Sequence, residues 1–253
     1  MNNHLSTQDQ AVFKLPSLQE LYDAGAHLGH RTSRWHPKME PYIFGSKHSV
    51  HFFDLEKTLK QLAETLDFFS GVISKGGLIL FVGTKPAAKA LIKETAQALN
   101  MPYVTERWLG GTLTNFKTIN KRLKHLQELE AQQAEGVWEK FTKKERLQLQ
   151  RKMTKLQEQL VGIRNLIKLP DAVFVADAKK DILPLREAKI VKAAVVAICD
   201  TNIDPTSVDF PICANDDAVT SLKIILDIFK DNLKNIKAVL PAAKDAVSEK
   251  SEE

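Results

Sequence analysis

The 253-residue chain carries 36 Lys+Arg against 31 Asp+Glu, only two cysteines, and no apolar run near the roughly 18 residues that a membrane helix needs. A chain of this length buries a sizeable core without staples, which excludes a disulfide-dependent miniprotein and a helical membrane protein. The net charge of +5 is weak support for a polyanionic partner, but its distribution says more: residues 107–168 hold 14 Lys+Arg against 6 Asp+Glu, leaving the remainder net acidic by three.

In chain order, the opening MNNHLSTQDQ lacks the basic start and apolar block of a signal peptide, so a cytoplasmic protein is expected. Residues 24–55 (AGAHLGHRTSRWHPKMEPYIFGSKHSVHFFDL) are dense in His, Arg, Lys and aromatic residues. Arg31, Arg34 and Lys38 can pair with phosphates while Trp35 offers a flat face to a base or sugar. The same aromatics could equally pack on a sheet. Residues 77–83, 171–176 and 193–199 are short apolar runs without alternation, the pattern of strands buried on both faces of a parallel sheet. The run 85–99 reads as a helix with Pro86 in its first turn, and 216–233 reads as another. Cys199 and Cys213 fall in apolar stretches and are expected as free, buried thiols in a reducing compartment.

The run ERWLGGTLTNFKT, 106–118, would join the sheet to a different kind of structure. Gly110 and Gly111 permit an abrupt turn, Thr112 or Thr114 can cap the next helix, and Arg107 with Trp108 could grip a nucleic-acid backbone. From 112 to 168 the α/β alternation stops. Leu149, Met153, Leu156, Leu160, Ile163 and Ile167 repeat at the 4-3 spacing of a coiled-coil seam, and Phe116, Ile119, Leu123, Leu126 and Leu129 form a less regular stripe. With Gly136 between them, the two stripes predict an antiparallel helical hairpin on the order of 30–35 Å long. Charges on such a hairpin often only solvate it, but Lys117, Lys121, Arg122, Lys124, Lys143, Lys144, Arg146, Arg151, Lys152 and Lys155 outnumber the nearby acids, which points to RNA.

Two other chemistries compete with RNA binding. His27, His30 and His36 could ligate a metal, but no cysteine or clustered carboxylate nearby in sequence completes a shell, so no metal or other cofactor is expected. Asp177, Asp200, Asp216 and Asp217 lie at strand ends, where an α/β enzyme binds a small phosphorylated ligand. Yet GxGxxG, GxxxxGK[ST] and a nucleophile elbow are all missing, and helix capping accounts for Asp216 and Asp217. No catalysis and no small-molecule substrate are expected.

At AGAHLGHRTSRWHPKMEPYIFG, VGTK, RWLGGTLTNFKTI, LPDAVFVAD, DTNIDP and NDDA, in this order, the chain resembles the bacterial small-subunit ribosomal protein S-two family over roughly residues 16–235. The resemblance implies a flavodoxin-like open parallel sheet flanked by helices, with an inserted antiparallel coiled-coil hairpin. It also implies a cytoplasmic place in the small ribosomal subunit, at the head-body junction near the messenger exit. The implied partners are 16S-type ribosomal RNA and neighbouring proteins, including the OB-repeat protein S-one. Two turns depart from the family: KIVKAAVVAI stands where a Gly-Ile-Pro turn is usual, and PICANDDA lacks the usual proline-glycine pair.

The expected organisation is a discontinuous α/β core of residues 1–111 and 169–240, a basic hairpin over 112–168, and a disordered acidic tail over 241–253.

Overall fold

The computed structural model describes residues 13–248 apart from 165 and 167, giving only the course of the chain beyond residue 234. The chain opens with α1 (Leu18–Asp23), whose capping box pairs Ser17 with Glu20. A small antiparallel sheet comes next, from β1 (Leu28–Arg31), β2 (Ile43–Lys47) and β3 (Val50–Phe53), in the order β1-β3-β2. Then α2 (Leu55–Ser74) starts on an Asp54 cap and leads into β4 (Ile79–Val82). Beyond it lie α3 (Pro86–Ala98), with Pro86 at its first position as expected, and β5 (Tyr103–Val104). After α4 (Phe116–Ala134) and α5 (Lys143–Leu160) the α/β alternation resumes. It runs through β6 (Ala172–Val175), α6 (Ile182–Ile190), β7 (Ala194–Cys199), β8 (Phe210–Cys213) and α7 (Val219–Ser248).

The main sheet is parallel, in the order β5-β4-β6-β7-β8. All four residues of both β4 and β6 are buried, because helices cover both faces and leave no polar side for alternation to show. Period-two geometry still sorts them. Ile79, Phe81, Phe174, Val196 and Ile198 face α2, α3 and α7, while Leu80, Val82, Val173, Val175, Val195 and Ala197 share a core with α6 and the α4–α5 region. Cys199 and Cys213 are buried and free, as expected.

The strand order doubles back between β4 and β6, the switch point at whose carboxyl edge open α/β sheets gather polar groups. Gly83 at the end of β4 belongs there for a steric reason: a Cβ would meet Ile92 Cγ1 at 2.7 Å and Ala88 Cβ at 3.2 Å.

Helices α4 and α5 run antiparallel, since Gln133 bonds Gln150 at 3.1 Å and Gln157 bonds Glu130 at 2.9 Å. Ile119, Leu123, Leu126, Leu129, Met153, Leu160 and Ile163 are buried between them and against the sheet, with Phe116, Leu149 and Leu156 half-buried alongside. Gly136 makes the turn with φ 72, and α5 opens on a Thr142–Glu145 capping box. Ile167, the last residue of the expected seam, lies outside the described residues. α7 carries on through 241–248, the first part of the stretch expected to be disordered, while 249–253 lie outside the described residues.

Leu126 is 1% exposed between the two helices. Leu126→Asp buries an unpaired carboxylate and should melt the helix pair. Limited proteolysis should then cut first within 112–168 while the parallel sheet keeps its cooperative transition; a single global unfolding step would show the two to be one folding unit.

Candidate functional site

The joint between sheet and helix pair is built on Glu187, a buried carboxylate on the inner face of α6. Its Oε1 accepts from Trp108 Nε1 at 2.9 Å and Gly111 N at 2.8 Å, and its Oε2 accepts from Leu113 N at 2.9 Å and from Thr114 N and Oγ1 at 3.3 Å each. Burial pushes this carboxyl up, but the bonds from Trp108, Leu113, Gly111 and Thr114 outweigh it and hold the group below its usual range. The loop's backbone donors, which no helix or sheet satisfies, therefore converge on one anion.

This arrangement corrects the expectations for Trp108 and for the two threonines. Trp108 is only 6% exposed, so it anchors the elbow and offers no stacking face to RNA. Neither threonine caps α4: Thr112 Oγ1 donates to the Leu109 carbonyl, and Thr114 turns to Glu187. Of the two glycines only Gly111, at φ 85, takes the left-handed turn.

The cations expected to touch RNA are on the surface. Lys117, Lys121, Arg122 and Lys124 on α4, Lys143, Lys144, Arg151 and Lys152 on α5, and Arg107 beside the elbow are all exposed. None of these forms an ion pair among the described residues, whose pairs from the elbow to the end of the segment are Lys89–Glu106, His125–Glu128, Arg164–Glu130 and Lys168–Asp171. Arg31 and Arg34 are exposed, lining a polar pocket with Gly29, His30 and Ser33. Trp35 is half-buried beside His51, and Lys38 is held by Asp204 at 2.7 Å and Thr206 at 3.0 Å.

The three histidines do not converge. His27 stacks between Tyr22 and Phe52, His36 accepts from Lys38 N, and His30 alone reaches the strand ends. There the structure gathers the carboxylates that are scattered along the sequence. Lys85 Nζ lies 3.2 Å from Asp177, 2.8 Å from Asp216 and 2.6 Å from Asp217, while His30 Nδ1 lies 2.9 Å from Asp200. Burial, together with the charges of Asp177 and Asp200, pushes Asp216 up to about 7, whereas the Lys85 hydrogen bond holds Asp217 low. The bond to Asp200 raises His30. Asp216 and Asp217 are thus partners of Lys85, and the turn ahead of α7 is closed by Asn215, whose Oδ1 accepts from Asp217 N and Ala218 N. Donor atoms of His30, Asp216 and Asp217 lie within 4.8 Å of one another, and the Lys85 ammonium supplies the countercharge there.

An exposed apolar surface lies across the small sheet. Phe44 is 83% exposed at the edge of a cavity of about 730 Å³ lined also by Leu18, Tyr22, His27 and Phe52.

Residues 21–235 match the family model described as "Ribosomal protein S2". The chain belongs to the ribosomal protein S2 family. The "Small ribosomal subunit protein uS2" of Fusobacterium nucleatum is 45% identical over 213 residues, 84% of this chain and 86% of that one. The protein of the same description from Tolumonas auensis is 44% identical over 221 residues, 87% of this chain and 91% of that one. S2-family proteins are structural ribosomal proteins, so the strand-end carboxylates of this chain belong to a scaffold and not to an enzyme.

The anchoring by Glu187 is testable. Glu187→Gln keeps the shape but sets an NH2 against donors that need an acceptor, and should cost roughly 2–3 kcal/mol at neutral pH. Because the folded carboxyl is held low, its stabilisation is present above the unfolded value of 4.5 and is lost as pH falls through the folded one. Urea titrations of variant and wild type should therefore differ most near pH 7 and converge in acid; a pH-independent difference would mean that shape, and not charge, holds the elbow.

Proposed function

We propose that this S2-family chain, a structural protein of the small ribosomal subunit, binds structured 16S-type ribosomal RNA through the α4–α5 pair and the segment 24–55. Working in the cytoplasm, it supports subunit assembly and translation. The observation that carries the reading is the set of ten exposed cations on α4 and α5, Arg146 and Lys155 among them, that no carboxylate neutralises among the described residues. Surface lysines that serve solubility alone commonly alternate with acids, whereas unpaired cations on a narrow arm present a field that phosphates can enter from several sides. Arg31, Arg34 and Arg107 extend that field around the core, with Trp35 and Lys38 beside them.

In this reading the helix pair is an arm distinct from the α/β core, and neighbouring small-subunit proteins, including the OB-repeat protein S-one, seat on the other side. The apolar surface around Phe44 supports a protein contact, since an exposed phenylalanine beside Leu18 and Phe52 gains most from burial against apolar side chains.

Replacing Lys121, Arg122, Lys124, Lys143 and Lys144 by Gln should weaken RNA binding and flatten its salt dependence. Each phosphate no longer neutralised should lower the log-log slope by roughly 0.7–0.9. An unchanged slope would show these side chains to be merely solvated. In the same subunits Phe44→Ser should reduce retention of protein S-one while leaving the RNA slope intact.

A further inference from the structure

Helix α6 has two faces with opposite fates. Its inner face carries Glu187 to the elbow and packs Leu185 and Ala188 into the core. Its outer face, with the turns on either side, exposes Lys179, Lys180, Ile182, Leu183, Arg186, Lys189, Ile190 and Lys192. Those eight residues include five cations and no acid. The two acids of the segment are both turned inward: Asp181 accepts from Thr84 N at 3.0 Å and Thr84 Oγ1 at 2.7 Å, and Glu187 is taken up by the elbow. Lys179 and Lys180, in the turn before the helix, border the strand-end carboxylates Asp177, Asp216 and Asp217, and Lys180 lies beside Asp181, so the cations clear of any acid are Arg186, Lys189 and Lys192. Arg186, Lys189 and Lys192 form no ion pair among the described residues.

A second observation concerns the end of the helix. Lys192 sits at φ 61, a left-handed conformation that glycine adopts without strain and a lysine does not. The turn keeps a glycine's geometry while presenting a charge outward. The surrounding structure enforces this strain, since Ala193 N bonds the Ala188 carbonyl at 3.0 Å in a turn that closes the helix and leaves the Lys192 side chain outside.

We propose that the outer face of α6 is a further contact surface for the ribosomal RNA backbone, separate from the α4–α5 arm. Arg186 and Lys189 lie on a helix whose nine residues span about 13 Å, and Lys192 sits in the turn just beyond it, which leaves room for several phosphates of one strand. Ile182, Leu183 and Ile190, at 39%, 51% and 70% exposure, lie between the cations and pack against ribose edges. An acidic protein segment would match the same charge. However, eight exposed residues with three aliphatic side chains fall well short of the roughly 20–30 residues a side of a stable protein interface, whereas phosphate contacts add one by one.

The inference rests on the reading of the chain as RNA-binding, and its test is arranged to separate the two. The full-length chain is rebound across a salt series to small subunits stripped of this protein, as wild type, as K179Q/K180Q/R186Q/K189Q/K192Q, and as the arm variant above. Thermal midpoints check folding, and R186Q/K189Q/K192Q serves if the larger set does not fold. The α6 variant should lower the log-log slope by about 0.7–0.9 for each phosphate left unpaired, roughly two units or more in all. K179R/K180R/K189R/K192R should keep the wild-type slope, and a photoreactive label on Ile190→Cys should crosslink to ribosomal RNA. A slope lowered by the arm variant but not by the α6 variant overturns this proposal alone. The reverse result upholds it and overturns the arm reading. An unchanged slope with crosslinks to a ribosomal protein makes α6 a protein-docking face, and an unchanged slope without crosslinks makes it a solvated one; both overturn the proposal.

Discussion

Five donors from a single loop meet one buried carboxylate at Glu187, and the shape of the molecule between its sheet and its basic helices depends on that convergence. A chain leaving a parallel sheet for a helix pair has a stretch of backbone that neither element can satisfy. Exposed, the stretch would be solvated and flexible; buried without an acceptor, each N–H would cost about 1–3 kcal/mol. Glu187 resolves this from α6, more than 70 residues further along, and its negative charge makes each bond stronger than a neutral acceptor could. Trp108 completes the anchor because a buried indole also needs an acceptor for its N–H.

The switch point of the sheet shows the same economy of charge. Three aspartates, from the end of β6 and the turn before α7, converge on Lys85, and His30 joins through Asp200 and Asp217. In an enzyme on this architecture the edge would be kept open for a ligand. Here the edge also borders a cavity of about 330 Å³, but the ammonium of the chain itself pairs with the carboxylates, so the polar groups hold β4, β6 and the small sheet together. Asp216 bears the strain of the arrangement, crowded by Asp177 and Asp200 and pushed up to about 7.

How much the sequence displays depends on how local each feature is. The strands at 77–83, 171–176 and 193–199, Pro86 at a helix start, and the apolar stripes on either side of Gly136 were legible because period and punctuation act within a few residues. The surplus of cations over 107–168 was legible as composition. The roles of Trp108, Thr114, Asp216 and Asp217 were not, because each is decided by a partner far away in sequence: Glu187 for the first two, Lys85 for the others. An aspartate just ahead of a helix reads as a cap on local grounds, and only the fold shows Asp216 and Asp217 turned to Lys85 instead. Carboxylates could not be seen to cluster near His30 for the same reason.

The inward placement of acids also bears on how the chain presents itself to a polyanion. Glu187, Asp181, Asp177 and Asp216 are all buried and bonded within the protein, and of the lysines and arginines around them Lys85 turns inward while Lys179, Lys180, Arg186 and Lys189 are exposed. The formal charge of +5 counts these buried acids, so the exposed groups taken alone carry a larger positive surplus. A protein that counts nearly as many acids as bases can thus meet RNA as a basic body. The carboxylates that lower its net charge are the same groups that fix the elbow and the sheet edge from which the outward cations project.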